Sequence, residues 1–340
     1  MTTSHRSVPR DINICRSFRA KEGCDSFRHY TWVLHTSDAS RILHVTSTES
    51  YVSVMTRVLL ITKGHPFAKD DFFKIFDALV ADTNSCVSDY THVEQPAAQH
   101  FFHPENSENW DVFVIYDMPG IEFNRSPKDR SNNPIKFDAP SDDFKRGVYS
   151  MLEKGKGLIF LHHALAGWPL WEEWAKIIGG RFHYQSATLD GINYPDSGYR
   201  HDVKHTVEVV DPTHPITNGI PASFEFTDEL YLAPIFEQNV HPILRSRHDF
   251  SSQNFFSADL AIRGQGFSNK GWEHPPTSNA VGWVKHAGNS PVAYLQFGDG
   301  PGQYAEPIFR QIIGNAITWA SSDQAHNWAR HRFQESGIFA

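Results

Sequence analysis

The chain has 340 residues, 40% of them hydrophobic and 21% charged, which is enough to bury one large core or two smaller ones. A formal net charge of −8 without basic runs argues against a nucleic-acid partner. The three cysteines form no CxxC pair, no apolar run approaches the ~18 residues of a membrane span, and the amino terminus lacks a secretion pattern. We therefore expect a soluble, cytoplasmic protein with neither nucleic-acid nor membrane partners.

Three regions differ in composition. Residues 1–54 are polar and carry no sustained hydrophobic period, so we expect a flexible extension or a mis-called start. Residues 55–322 alternate short apolar runs with amphipathic segments, which is typical of an α/β domain. Residues 323–340 are predicted to form a C-terminal tail.

The predicted elements of the α/β domain follow in chain order. Apolar runs predict strands at 56–62, 111–116, 158–161, 205–210, 281–285 and 292–297. Helical spacing predicts helices at 70–80, 168–178 and 307–319, and residues 121–143 are rich enough in Asn, Pro, Asp and Ser to predict a long surface loop. The alternation predicts a doubly wound, mostly parallel sheet of the flavodoxin-like type.

Polar side chains follow the first three predicted strands. His65 follows the first, Asp117 ends the second, and His162 and His163 end the third. Because the carboxyl ends of parallel strands meet at one sheet edge, we expect these groups to line a common cleft. Side chains alternate across a strand, so only one of the two adjacent histidines is expected to face that cleft.

Two predicted loops add further candidates. Residues 181–184 carry His183, and residues 227–231 carry Asp228 and Glu229 between apolar neighbours. Imidazoles and carboxylates at one edge can act as general acids and bases near neutral pH, or can bind a divalent metal such as zinc. The sequence has no His-Glu-x-x-His helix, no nucleophile elbow and no phosphate-binding glycine motif, so the presence and identity of a metal stay open and nucleotide cofactors are disfavoured.

Aromatic residues are frequent beside these candidates. Tyr184 and Tyr231 stand next to His183 and Glu229, and aromatic faces flanking polar groups suit polyhydroxylated ligands. A small carbohydrate is therefore the expected ligand, bound by His65, Asp117 and the two tyrosines. The oligomeric state is open, and a homo-oligomer is compatible with the sequence.

Six segments, in the same order along the chain, resemble motifs of the trehalose-utilisation (ThuA-like) family. The fold of that family is similar to that of class I glutamine amidotransferases. The six segments are 62–67, 155–163, 179–183, 211–217, 228–231 and 315–320. The resemblance implies a role in sugar breakdown, on disaccharides or their 3-keto derivatives. Where many relatives have Gly-His after the last strand, this chain has Gly298-Asp299, so Asp299 is the implied replacement ligand or base. The histidine turn lacks the amidotransferase thiol, so glutamine hydrolysis is not expected.

The leading hypothesis is an enzyme that processes a disaccharide or 3-keto-sugar by acid-base chemistry, with or without a divalent metal. Its expected catalytic residues are His162, His163, His183, Asp228 and Glu229. Two alternatives remain open. One is a non-catalytic sugar-binding or regulatory protein on the same scaffold, and the other is a metal-dependent hydrolase of a non-sugar substrate.

Overall fold

The computed structural model describes residues 29–34, 43–48, 55–126 and 129–337. The chain forms two compact units, Met1–Val54 and Met55–Ala340. In the first unit, β1 (His29–Leu34) pairs antiparallel with β2 (Leu43–Thr48). The prediction of a flexible extension or mis-called start for residues 1–54 otherwise lies outside the described residues.

The second unit contains a large sheet, several short strands and flanking helices. Its strands are β3 (Thr56–Lys63), β4 (Val87–Glu94), β5 (Val112–Asp117), β6 (Ile121–Phe123), β7 (Ile135–Phe137), β8 (Gly157–Leu161), β9 (Ala187–Leu189), β10 (Ile192–Tyr194), β11 (Gly198–Val209), β12 (Ser223–Leu232), β13 (His241–Ser246), β14 (Phe256–Ser257), β15 (Ala280–Ala287) and β16 (Ser290–Leu295). Its helices are α1 (Lys69–Ala81), α2 (Pro104–Ser107), α3 (Asp142–Lys154), α4 (Glu172–Ile178), α5 (Ala258–Ile262), α6 (Pro301–Tyr304), α7 (Pro307–Ala320) and α8 (Asp323–Ser336).

The central sheet has the strand order β12-β11-β13-β15-β16-β8-β5-β3-β4, with β14 beside β11. The five strands from β16 to β4 run parallel, and those from β12 to β16 pair antiparallel. The predicted α/β class is confirmed, and its parallel strands form one half of the sheet, from β16 to the edge strand β4. The antiparallel strands form the other half, on the β16 side.

Both faces of the parallel half are covered. Along β3, Val58 and Leu60 belong to one buried cluster and Leu59 and Ile61 to the other, because successive strand residues point to opposite faces. Helices α1 and α7 pack into the first cluster, and α3 and α4 pack into the second. This double covering explains the continuous apolar runs of the central strands.

Three predicted boundaries differ from the structure. Residues 227–231, predicted as a loop, belong to β12. The prediction was wrong because their acidic pair interrupts the apolar alternation of the sequence without interrupting the strand. The predicted surface loop at 121–143 includes the antiparallel pair β6 and β7. The segment assigned as a tail contains α8, which begins at the cap Ser322 and buries Ala325 and Ala329. No helix among the residues that the structure describes is both long and apolar enough to cross a bilayer.

Candidate functional site

His162 lies at the carboxyl end of β8, where the chain leaves the strand with a positive φ of 47°. Its Nδ1 atom lies 2.7 Å from the carbonyl oxygen of Gln296. A carbonyl only accepts hydrogen bonds, so Nδ1 carries a proton and Nε2 faces the opposite way. The fully buried ring is thereby held in one orientation.

The Nε2 atom of His162 faces three oxygen atoms. It lies 2.8 Å from the hydroxyl of Tyr231, 3.2 Å from Oε2 of Glu229 and 3.5 Å from Oδ1 of Asp299. Glu229 and Tyr231 stand on β12, and Asp299 follows β16. Side chains far apart in the sequence therefore meet at the end of β8.

Asp228 positions the two carboxylates without contacting His162 directly. Its carboxylate accepts hydrogen bonds from the backbone N–H groups of Glu229 (2.8 Å), Gly298 (2.7 Å) and Asp299 (3.2 Å). Burial raises the pKa of Asp228 to about 6, against the opposing effect of His162 and these N–H groups. Asp228 was predicted to be catalytic, and these contacts show that its carboxylate supports the loop after β16.

His201 completes the cluster, although it was not predicted from the sequence. Its Nδ1 atom lies 3.1 Å from Oε1 of Glu229 and 3.7 Å from Oδ2 of Asp299. The β11–β12 register is irregular between Arg200 and Val203, so no simple alternation predicts where His201 points. The only sequence signal for His201 was an imidazole on β11, the strand that pairs with the strand carrying Asp228 and Glu229. We call His162, His201, Glu229 and Asp299 the His–acid cluster.

The charges of the His–acid cluster stabilise one another. Burial alone lowers the pKa of His162, but hydrogen bonds with Asp299 and Glu229 outweigh it and raise the pKa to about 10. A hydrogen bond with Asp299 is also the main cause that raises the pKa of His201. Burial raises the pKa of Asp299, but the two histidines hold it well below its usual range. At neutral pH His162 is therefore an imidazolium that faces the Asp299 carboxylate.

His163 turns away from the cluster and packs between other rings. It stacks on His65 with 4.7 Å between ring centroids and lies 4.3 Å from the ring of Tyr116. Neither ring nitrogen of His163 has a hydrogen-bond partner among the described residues, and burial holds its pKa well below the usual value. Burial also lowers the pKa of His65. Of the adjacent histidines, His162 is the one that joins the carboxylates.

Two predicted site residues have their described contacts elsewhere. The ring of His183 stacks on Tyr194 at 5.7 Å, and burial lowers its pKa to about 3. Asp117 accepts a 2.7 Å hydrogen bond from Gln95, and burial raises its pKa to about 7. None of their described hydrogen bonds or ring contacts joins either residue to the His–acid cluster.

A pocket of about 490 Å³ lies beside His65, whose ring stacks on His163. Tyr184 also lines it and donates a hydrogen bond to Sδ of Met118 at 3.4 Å. The remaining lining residues are Pro66, Phe123, Asn124, Arg125, Arg130, Pro134, Ala261 and Ile262. Its volume is that of a small-molecule site.

The His–acid cluster also has the composition of a metal site. One ligand atom each from His162, Glu229 and Asp299 lie within 4.8 Å of one another. Imidazole nitrogen and carboxylate oxygen suit zinc and similar divalent cations, and a ligating histidine commonly donates its other N–H to a carbonyl, as His162 does to Gln296. The residues therefore fit a divalent cation.

Comparisons with known proteins agree on a family and a fold. A family model described as "ThuA: Trehalose utilisation" matches residues 57–320, whereas no curated protein sequence matches the chain. The structure of a ThuA-like protein from Bacteroides uniformis is 16% identical with a TM-score of 0.53, and the match covers 81% of this chain and 95% of that one. A ThuA-like protein from Parabacteroides merdae is 14% identical with a TM-score of 0.51, covering 78% and 90%. At these identities the structural likeness shows the fold alone.

Proposed function

This chain belongs to the ThuA family of trehalose-utilisation proteins, and from that premise we propose that it is an enzyme acting on a disaccharide or its 3-keto derivative by proton transfer. The observation that carries the proposal is the His–acid cluster, in which two imidazoles and two carboxylates meet at the carboxyl end of β8. General acid and base groups of this kind accelerate reactions by about 10²–10⁴-fold.

The accessible members of the cluster are the ones that contact substrate in this proposal. The side chains of His201 and Asp299 are 40% and 29% exposed, whereas His162 and Glu229 are buried behind them. Asp299 acts as the base that removes a proton alpha to the ketone, and the electron pair moves onto the carbonyl oxygen. His201 acts as the acid that protonates either the enolate or, when the enolate electron pair returns and breaks the glycosidic C–O bond, the leaving oxygen. A substrate oxygen that takes over the hydrogen bond of His201 leaves Asp299 more basic.

The test is turnover of the 3-keto derivative of trehalose. Asp299→Asn and His201→Gln are each expected to lower kcat at least 100-fold. A matched control is His241→Gln, since His241 is 47% exposed and forms a 2.7 Å pair with Asp211 on another part of the surface. Turnover that survives the combined Asp299→Asn and His201→Gln substitutions contradicts the assignment. Binding of trehalose without conversion of any keto-sugar or glycoside favours the non-catalytic alternative.

A second candidate is a metal-assisted form of the same reaction, favoured by the convergence of His162, Glu229 and Asp299. A divalent cation bound at Nε2 of His162 takes the place of the proton that this imidazolium holds beside the carboxylates. Zinc binding is therefore expected to release the Nε2 proton of His162. Calorimetry in buffers of different ionisation enthalpy measures that release. A purified protein that neither holds nor takes up zinc or manganese, and keeps its activity in chelator, eliminates this candidate. Metal-dependent hydrolysis of an amide or ester, with sugars ignored, favours the third alternative.

We also propose that the protein works in the cytoplasm on a small carbohydrate, without a nucleic-acid partner. The low cysteine count supports this location, and the acidic net charge supports the absence of a nucleic-acid partner. Cell fractionation with an antibody against the chain tests the location, and a gel-shift assay with duplex DNA tests the absence of nucleic-acid binding.

A further inference from the structure

The ring of Phe267 is the most exposed large hydrophobic side chain among the described residues, at 69%. Its backbone has a φ of +58°, a left-handed conformation that bulky residues rarely adopt. Exposure and backbone strain both favour a smaller residue at this position. Strained residues of this kind cluster at ligand-binding sites.

Phe267 stands next to the His–acid cluster. Its ring centroid lies 6.0 Å from that of His201 and 5.7 Å from that of Phe256. The backbone N–H of Phe267 donates a 3.0 Å hydrogen bond to the hydroxyl of Tyr199, which holds the segment in place. The exposed face is therefore continuous with the half-exposed imidazole of His201.

We propose that Phe267 is an aromatic platform on which one sugar ring of the substrate stacks. The proposal rests on the proposed function, since it takes the His–acid cluster as the reacting centre. A pyranose ring offers an apolar C–H face to an aromatic ring and directs its hydroxyl groups sideways. A sugar lying on Phe267 would place these hydroxyls beside His201 and the Asp299 carboxylate.

The experiment uses substitutions that accept the observed backbone. Phe267→Gly and Phe267→Asn remove the ring while tolerating a positive φ. Both are expected to raise KM for the 3-keto derivative of trehalose by about 10-fold with kcat within twofold, because stacking acts on ground state and transition state alike. Phe267→Trp is expected to keep the wild-type KM. Leu170→Asn is the control, since Leu170 is 55% exposed and lacks any described contact with the cluster.

The outcomes separate this inference from the function it rests on. Turnover with an unchanged KM in both ring-removing variants overturns the platform and leaves the proposed function standing. A fall in kcat at constant KM also overturns it. A wild-type protein that neither binds trehalose in calorimetry nor converts its 3-keto derivative overturns both. Circular dichroism of each variant shows whether a change in KM comes from unfolding, and the Trp variant supplies an independent measurement.

Discussion

The charge state of His162 should make the stability of the protein depend on pH. The folded pKa of about 10 lies above the ordinary value near 6.5, so the folded state holds this proton more tightly than the unfolded chain does. The resulting stabilisation is complete below pH 6.5 and is lost as pH rises towards 10. This rise in the pKa of His162 corresponds to at most about 5 kcal/mol of folding stability. The contribution is counted once, because the same contacts also lower the pKa of Asp299.

The measurement compares wild type with His162→Gln by urea unfolding, in chelator, at intervals from pH 6.5 to 10. Groups outside the cluster titrate in both proteins and cancel in the difference. The difference in the free energy of unfolding is expected to shrink by about 2–5 kcal/mol across this range. His241→Gln, which breaks an exposed pair worth less than about 1 kcal/mol, should show no comparable trend. A difference that stays constant within 1 kcal/mol refutes the assigned charge state.

Two further substitutions test the supports of the site, and two glycine substitutions test the reasoning about the backbone. Tyr231→Phe removes the hydroxyl beside Nε2 of His162, which should lower the free energy of urea unfolding by about 1 kcal/mol, and an unchanged midpoint contradicts the contact. Asp228→Ala leaves three backbone N–H groups without their acceptor and should cost about 3 kcal/mol, together with most of kcat. Gly64→Ala places a Cβ 2.6 Å from the carbonyl oxygen of Met118 at a φ of +98°, and it should lower the free energy of unfolding by about 3 kcal/mol. Gly271→Ala has a φ of +71° but open space around it, and it should lower that free energy by about 1 kcal/mol. Equal thermal shifts for the two variants contradict this reasoning.

The parallel half of the fold was predictable because its signals are local. The strand that begins at Thr56 is apolar on both faces, and this pattern alone predicts a buried parallel strand. The acids that open α1 and the proline that opens α7 mark helix starts in the sequence itself. The antiparallel half was less predictable, because the acidic pair at Asp228 and Glu229 breaks the alternation that identifies a half-buried strand.

The sequence by itself determined the class of the fold, the family and the edge of the sheet at which histidines gather. It did not determine which of these groups meet. His162 and not His163 faces the carboxylates, because the chain leaves β8 at His162. His201 joins the cluster through its strand's pairing with β12, and His183 has its ring contact with Tyr194. Strand pairing and the irregular register of β11 are long-range properties, so only the folded chain decided the membership of the site.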